Sequence, residues 1–258
     1  MGTRKSGIYQ LAGASGYSYN LYMRTSRVAG LLFLATAALA QHQQSVEITA
    51  EPSHHLVFQN EYVRVFDVTV APRATTLVHK HNYDYLFVTL GDSDVVSVRP
   101  GEKPVALKLK DGEVRFTPGN FAHAAINQSD QPFHNITIEL LKPSTNVKTC
   151  TGSCDDLSSP CAGICTQRRK LISSDQWSVW LITVPPTAHA EKYLHAVPQL
   201  IVPVSNLGFG VQDGSTDTPI IRGPGQIDWL ARGPMHALIN KAKTSASFIA
   251  LEFNQEKP

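Results

Sequence analysis

His79 and His81 lie one residue apart at the edge of an apolar run, in "HKHNYDYLFVTLGDSD" (His79–Asp94), and a third histidine, His123, stands in a later run. Alternate side chains of a strand share a face, so a His-x-His pair projects two imidazoles to one side at a separation that suits two bonds to one ion. Imidazole is a good ligand for zinc, iron, nickel and copper. His123 would complete a three-nitrogen face and leave coordination positions for water, dioxygen or a substrate oxygen. The alternative is that all three are polar residues at strand ends.

Short β-rich runs must position these side chains. "YVRVFDVTV", "YLFVTLG", "VVSVRP", "VALKLKDG", "EVRFTPG" and "HNITIELL" are rich in Val, Ile, Phe and Thr and are bounded by Gly, Pro, Asp and Asn, the pattern of a β-sandwich or barrel. The texture resumes late in the chain with "WSVWLITV", "QLIVPVSN", "PIIRGPG" and "ASFIALEF". The resumption is a repeat. A shift of 114 pairs Val65–Thr75 with Val179–His189 and Tyr85–Leu90 with Gln199–Val204; a shift of 113 pairs Gly112 with Gly225, "HAAIN" (His123–Asn127) with "HALIN" (His236–Asn240), and Glu139 with Glu252. Solenoid repeats run roughly 20 to 50 residues, so a period this long means two copies of one β domain.

These residues carry a resemblance. "HKHNYDYLFVTLG" followed by "GEVRFTPGNFAHAAIN" resembles the paired motifs of the cupin superfamily, in which His-x-His is followed by Glu and Gly, and later by Gly, Pro-x-Gly, His and Asn. Gly112, Pro118, Gly119, His123 and Asn127 match the second motif, with the Gly one place early. The resemblance covers about residues 47–143 and, more weakly, 168–256. It implies an all-β bicupin: two tandem jelly-roll barrels (double-stranded β-helices). It also implies one divalent metal ion, of iron, manganese, zinc, nickel or copper, bound by His79, His81 and His123.

The carboxylate departs from the family pattern. Asp84 precedes Gly91 by six intervening residues, as the family's Glu does, but follows His81 by only two. In an unbroken strand Tyr85 would share the histidine face, so Asp84 ligates only if a turn at residues 82–84 re-aims it; otherwise it is a turn residue. Glu139 is a second carboxylate candidate, or else it and Glu252 each pair with an Arg. A site of three histidines alone is the third option. His42, His54, His55 and His134 match no ligand spacing and read as solvated or structural. Arg64, Arg99 and Arg115 lie on or next to strands, where they would hold an anionic substrate by bidentate hydrogen bonds or else sit on the polar face.

In the second copy His81 pairs with His195 and His123 with His236, but Tyr193 stands at the position of His79 and Pro198 at that of Asp84. The expected reading is a degenerate barrel that packs, dimerises or covers the first site. A different order of ligands, His189, Glu191, His195 and His236, is the other reading.

Arg24 and Arg27 precede the uncharged run "VAGLLFLATAALA" (Val28–Ala40), the form of a secretory signal peptide with cleavage after Ala40. Its 13 residues fall short of the ~18 needed to span a bilayer, so no stable membrane anchor is expected. Met23 reads as the true start. All four cysteines, Cys150, Cys154, Cys161 and Cys165, fall in "CTGSCDDLSSPCAGIC". In an exported protein they read as two disulfides stapling a linker, with a four-thiolate zinc knot as the competitor. The expected organisation is an upstream extension plus signal peptide (1–45), an N-terminal cupin with the metal site (46–144), a Cys-rich linker (145–168) and a C-terminal degenerate cupin (169–258).

Formal net charge is +2 without basic runs, which leaves no electrostatic footprint for nucleic acid. The expected partners are a small-molecule ligand and, through edge strands, a second copy in a homodimer. The expected function is that of a periplasmic or secreted metalloenzyme of oxygenase or isomerase type. The alternatives are a non-catalytic protein that binds a small molecule, a sugar or the metal itself, and a structural role for the metal. Oxalate-type bicupins resemble the chain in architecture but rely on a well-placed Glu in the first motif.

Overall fold

The computed structural model describes residues 45–150, 166–187, 191–193, 197–211, 220–232 and 236–254. The expected signal peptide, His42, His189, His195, Cys154, Cys161 and Cys165 lie outside these residues. Apart from one 3-10 turn at Ile48–Ala50, the described residues are strands and their connections. None forms a helix long and apolar enough to cross a membrane.

Ten strands make the first half: β1 (Val46–Glu47), β2 (His54–Gln59), β3 (Val63–Val70), β4 (His79–His81), β5 (Tyr85–Leu90), β6 (Ser93–Val98), β7 (Val105–Leu109), β8 (Val114–Thr117), β9 (Phe121–Asn127) and β10 (Phe133–Leu140). They form two five-stranded sheets, ordered β1-β4-β9-β6-β7 and β2-β3-β10-β5-β8. The second half adds β11 (Lys148–Thr149), β12 (Gln167–Ser173), β13 (Trp177–Val184), β14 (Glu191–Tyr193), β15 (Gln199–Pro203), β16 (Leu207–Val211), β17 (Ile220–Arg222), β18 (Asp228–Leu230), β19 (His236–Ile239) and β20 (Ala246–Phe253). Its sheets run β11-β12-β13-β20-β15-β18 and β14-β19-β16-β17. The order β2-β3-β10-β5-β8 is matched by β12-β13-β20-β15-β18, and β4-β9-β6-β7 by β14-β19-β16-β17, so the sequence repeat is a repeat of topology. Lys148–Thr149, expected in the linker, instead pair with Ser173 and Ile172 at the edge of the second half's sheet.

Strand alternation explains why β13 and β20 read as nearly continuous apolar runs: both faces are buried or half-buried. Val63 and Val65 of β3, with Ile136, Ile138 and Leu140 of β10, share one core with Trp177, Val179, Ile249 and Leu251 of the second half. The intervening residues Phe66, Val68, Val70 and Phe133 face the first barrel's own interior. In the second barrel the inward set is Trp180, Ile182, Val184, Phe248 and Ala250.

The two turn glycines matched by the repeat have positive φ, 71° at Gly112 and 77° at Gly225. Each lies against the opposite barrel: a Cβ at Gly112 would meet Val204 Cγ1 at 3.1 Å, and one at Gly225 would meet Leu90 Cδ1 at 2.8 Å. Leu90 and Val204 are themselves repeat partners.

Candidate metal centre in the first barrel

β4 and β9 pair antiparallel with His79 opposite His123 and His81 opposite Phe121. Along β4, Lys80 is half-buried while both histidines point inward and are buried, as alternation requires. The imidazoles converge. Ring centroids of His79 and His123 are 4.6 Å apart, those of His79 and His81 5.1 Å, and His81 Nε2 lies 3.3 Å from His123 Nε2.

A fourth histidine joins them. His54, at the start of β2, is 9% exposed, and its ring centroid is 4.5 Å from that of His79. One ligand atom each from His54, His79 and His81 lies within 4.8 Å of the others. Of the two expected readings for His54, solvated or structural, its burial and its bond to Glu51 rule out the first. His55, next along the strand, is exposed, and His134 pairs with Asp67 at 2.8 Å.

Each ring has an acceptor or a carboxylate behind its Nδ1. His79 Nδ1 lies 2.9 Å from the Leu77 carbonyl oxygen, which can only accept, so Nδ1 carries the proton and Nε2 the lone pair. That Nε2 is buried without a hydrogen-bond partner, and His79 is 1% exposed. His54 Nδ1 lies 2.6 Å from Glu51 Oε2, and His123 Nδ1 lies 2.9 Å from Ser97 Oγ. His81 Nδ1 faces Glu139 Oε1 at 3.8 Å. Tyr85 stacks on the other side of His81, with 4.0 Å between centroids.

Burial pushes the His79 imidazole down to about 4, helped by the charge of His54 and opposed by the bond to Leu77. Burial, with the charges of His79, His54 and Arg99, takes His123 to about 3. Burial and the neighbouring imidazoles depress His81 further. All three rings are therefore neutral at physiological pH, the state in which imidazole ligates a metal. Burial pushes the Tyr85 phenol up to about 12, so Tyr85 stays protonated.

Of the two readings open for each candidate carboxylate, the structure shows the one without ligation: Asp84 at a turn and Glu139 paired with an Arg. The chain does bend at residues 82–84, but Asp84 Oδ1 accepts the Gly119 N–H at 2.8 Å, and Asp84 does not line the histidine cavity. Glu139 is fully buried and bonded through Oε2 to Arg64, whose Nε donates at 2.8 Å. Burial raises its pKa, with Arg64 opposing. It stands behind His81 as an outer partner. Arg64 is thereby committed to Glu139 and does not line the cavity, whereas Arg99 and Arg115 do.

The histidines open onto a cavity of about 420 Å³ inside the barrel. Apolar walls include Val68, Val95 and Leu109, and polar groups enter from Asn135 and Thr137 of β10 and from Arg99 and Arg115. Glu102 and Lys103, in the turn after β6, also line it and are exposed, so the cavity leads from that turn down to the buried imidazoles.

The second barrel keeps the frame. Tyr193 and His236 pair in β14 and β19, in the register of His79 and His123. Arg168 pairs opposite Ile182 as His54 pairs opposite Val68. Its Nη2 donates to Glu252 Oε1 at 2.6 Å, and its guanidinium lies 4.0 Å from the Trp180 ring centroid. Extending the 114-residue shift upstream matches Arg168 with His54.

No family model matches the chain, and no curated protein does. Solved structures do. AerE from Microcystis aeruginosa aligns with a TM-score of 0.55 and 10% identity, covering 80% of this chain and 99% of that one. An oxalate decarboxylase variant from Bacillus subtilis aligns at 0.51 and 12%, covering 77% and 71%. An oxalate decarboxylase from the same organism with Mn(II) centres aligns at 0.50 and 11%, with the same coverage. The chain therefore has the cupin fold in its two-barrel form, and its first barrel carries a histidine cluster able to bind a metal.

Proposed function

We propose that the first barrel holds one divalent metal ion through His79, His81 and His123 and acts as a metalloenzyme, of oxygenase or isomerase type, on a small molecule taken into the adjoining cavity. The observation that carries this reading is His79 Nε2: a buried lone pair, on a ring packed beside those of His81 and His123, with no hydrogen-bond partner in the protein. A bound ion would supply Lewis acidity and, if redox-active, activation of dioxygen.

The chain's own residues supply the rest. The Leu77 carbonyl and Ser97 fix the rings of His79 and His123, while Tyr85 holds His81 by stacking. Apolar walls keep water from the reacting atoms. Arg99 and Arg115 favour an anionic group on the ligand. A mostly apolar cavity with a few converging polar groups is the form of a small-molecule site. Oxalate chemistry is not carried over, because Asp84 is committed to Gly119. Export to the periplasm or outside is proposed on the leader sequence alone.

Elemental analysis of purified protein should find close to one divalent metal per chain, and His79→Ala with His81→Ala should remove it. Metal that survived the double change in folded protein would overturn the site. Oxygen-uptake screening against small acids, thiols and phenolics separates catalysis from binding: a loaded protein that binds ligand without turnover is a carrier.

A further inference from the structure

Resting on that metal-site reading, we propose that His54 is a fourth nitrogen ligand, oriented by Glu51, so that four imidazoles hold the ion and the site's carboxylate stands one step behind it.

Three independent features converge on His54. Its position is interior: His54 is buried in the cavity wall while His55, on the opposite face of β2, is exposed. Its reach is right, since His54, His79 and His81 each bring a ligand atom within 4.8 Å of the others. Its orientation is fixed, because Nδ1 is bonded to Glu51 Oε2 at 2.6 Å, which leaves Nε2 for the cavity.

Glu51 is fixed by hydrogen bonds but faces no permanent cation among the described residues. Its carboxylate is buried and accepts the backbone N–H groups of Ser53 at 2.8 Å and Leu77 at 3.1 Å besides His54. No Lys or Arg among the described residues is ion-paired with it; its sole ion-pair partner is His54. A buried carboxylate without a fixed cation is costly. A divalent ion on the far side of His54 would offset it, in the carboxylate–histidine–metal arrangement that orients a ring and raises its basicity. The same Glu51 bonds Leu77, whose carbonyl holds His79, so one carboxylate braces two of the four rings.

The second barrel supports the assignment by what replaces His54. Arg168 occupies that strand position and bonds Glu252, the counterpart of Glu139. The interior position thus holds a permanent cation where the first barrel holds an imidazole. Nitrogen ligands alone disfavour manganese relative to copper, nickel and zinc.

The test uses the full chain loaded with one equivalent of Cu(II) and with zinc against a chromophoric chelator. Pulsed electron paramagnetic resonance of the wild-type copper form should count four imidazole nitrogens, and three would overturn the proposal whether or not any variant folds. His54→Ala should lose one nitrogen and weaken zinc by about 100-fold or more, whereas Glu51→Gln should keep the count and weaken zinc ~10- to 100-fold. His55→Ala should match wild type. An unchanged spectrum and affinity in folded His54→Ala, with metal still lost in the His79/His81 double variant, would discard His54 while leaving the metal site standing. No binding by wild type at all would discard both.

Discussion

Asp84 and Gly119 form a clasp between the two halves of the histidine site. Gly119 donates to Asp84 Oδ1 at 2.8 Å, and Asn120 N–H donates to the His81 carbonyl at 2.7 Å. The fit is close enough that a Cβ at Gly119 would lie 2.3 Å from the Tyr83 carbonyl carbon. The turn therefore fixes the start of β9 against the end of β4, which is what brings His123 opposite His79. Asp84→Ala should cost about 1.5–3 kcal/mol in urea unfolding, the range for a lost hydrogen bond to a charged group, while leaving metal stoichiometry unchanged. Loss of metal from folded Asp84→Asn as well, which keeps an oxygen to accept the Gly119 N–H, would make Asp84 a ligand after all. The histidines were legible because strand alternation converts His-x-His directly into a shared face. The role of Asp84 was not, since ligation and turn-clasping ask for the same side chain and only distance separates them. His54 was hidden for another reason: it reaches the site from the sheet opposite β4, and no local spacing records that approach.

At the scale of strands, the Asn that closes "HAAIN" and "HALIN" explains a match that metal binding would leave unexplained. Asn127 Nδ2 donates to the carbonyls of Val70, Ala71 and Gln131 at 3.1, 3.1 and 2.7 Å, tying the end of β9 to the end of β3. Asn240 donates to Val184, Pro185 and Thr244 at 3.1, 2.8 and 2.8 Å and does the same for β19 and β13. Both side chains are buried, so removal strands several carbonyls. Asn127→Ala and Asn240→Ala should each destabilise by about 1–3 kcal/mol. A loss below about 0.5 kcal/mol at Asn240, the size of an ordinary surface change, would refute a shared structural role. The strand pattern and its repeat were readable because β-branched and aromatic runs carry period two. The pairing of Lys148–Thr149 with β12 was not, because a two-residue strand has no period to read.

For the whole molecule, the buried neutral histidines set how stability depends on acidity. In metal-free protein the unfolded chain takes up protons near pH ~6.5, whereas folded His79 does so only near about 4 and His123 near about 3. The unfolded state thus binds more protons across that interval, and stability present at neutral pH is lost as pH falls from ~6.5 toward 4. Glu139, raised by burial, works in the opposite direction over its own range. The urea midpoint of metal-free protein should fall on acidification through this window; a rise would contradict the burial of these rings. With metal bound, proton competition should make the loss steeper.

The paired contacts of Gly112 on Val204 and Gly225 on Leu90 have the reciprocal form of an isologous interface, here enclosed within one chain. In a dimer of identical barrels a substitution is written twice, so a site cannot be abandoned in one copy and kept in the other. A tandem chain writes each substitution once. The inward set of side chains in the second barrel can then become Trp180, Phe248 and Arg168 while its outward set still grips the first barrel. The fused repeat thereby lets the interiors of the two barrels diverge while the faces they share stay fixed against each other.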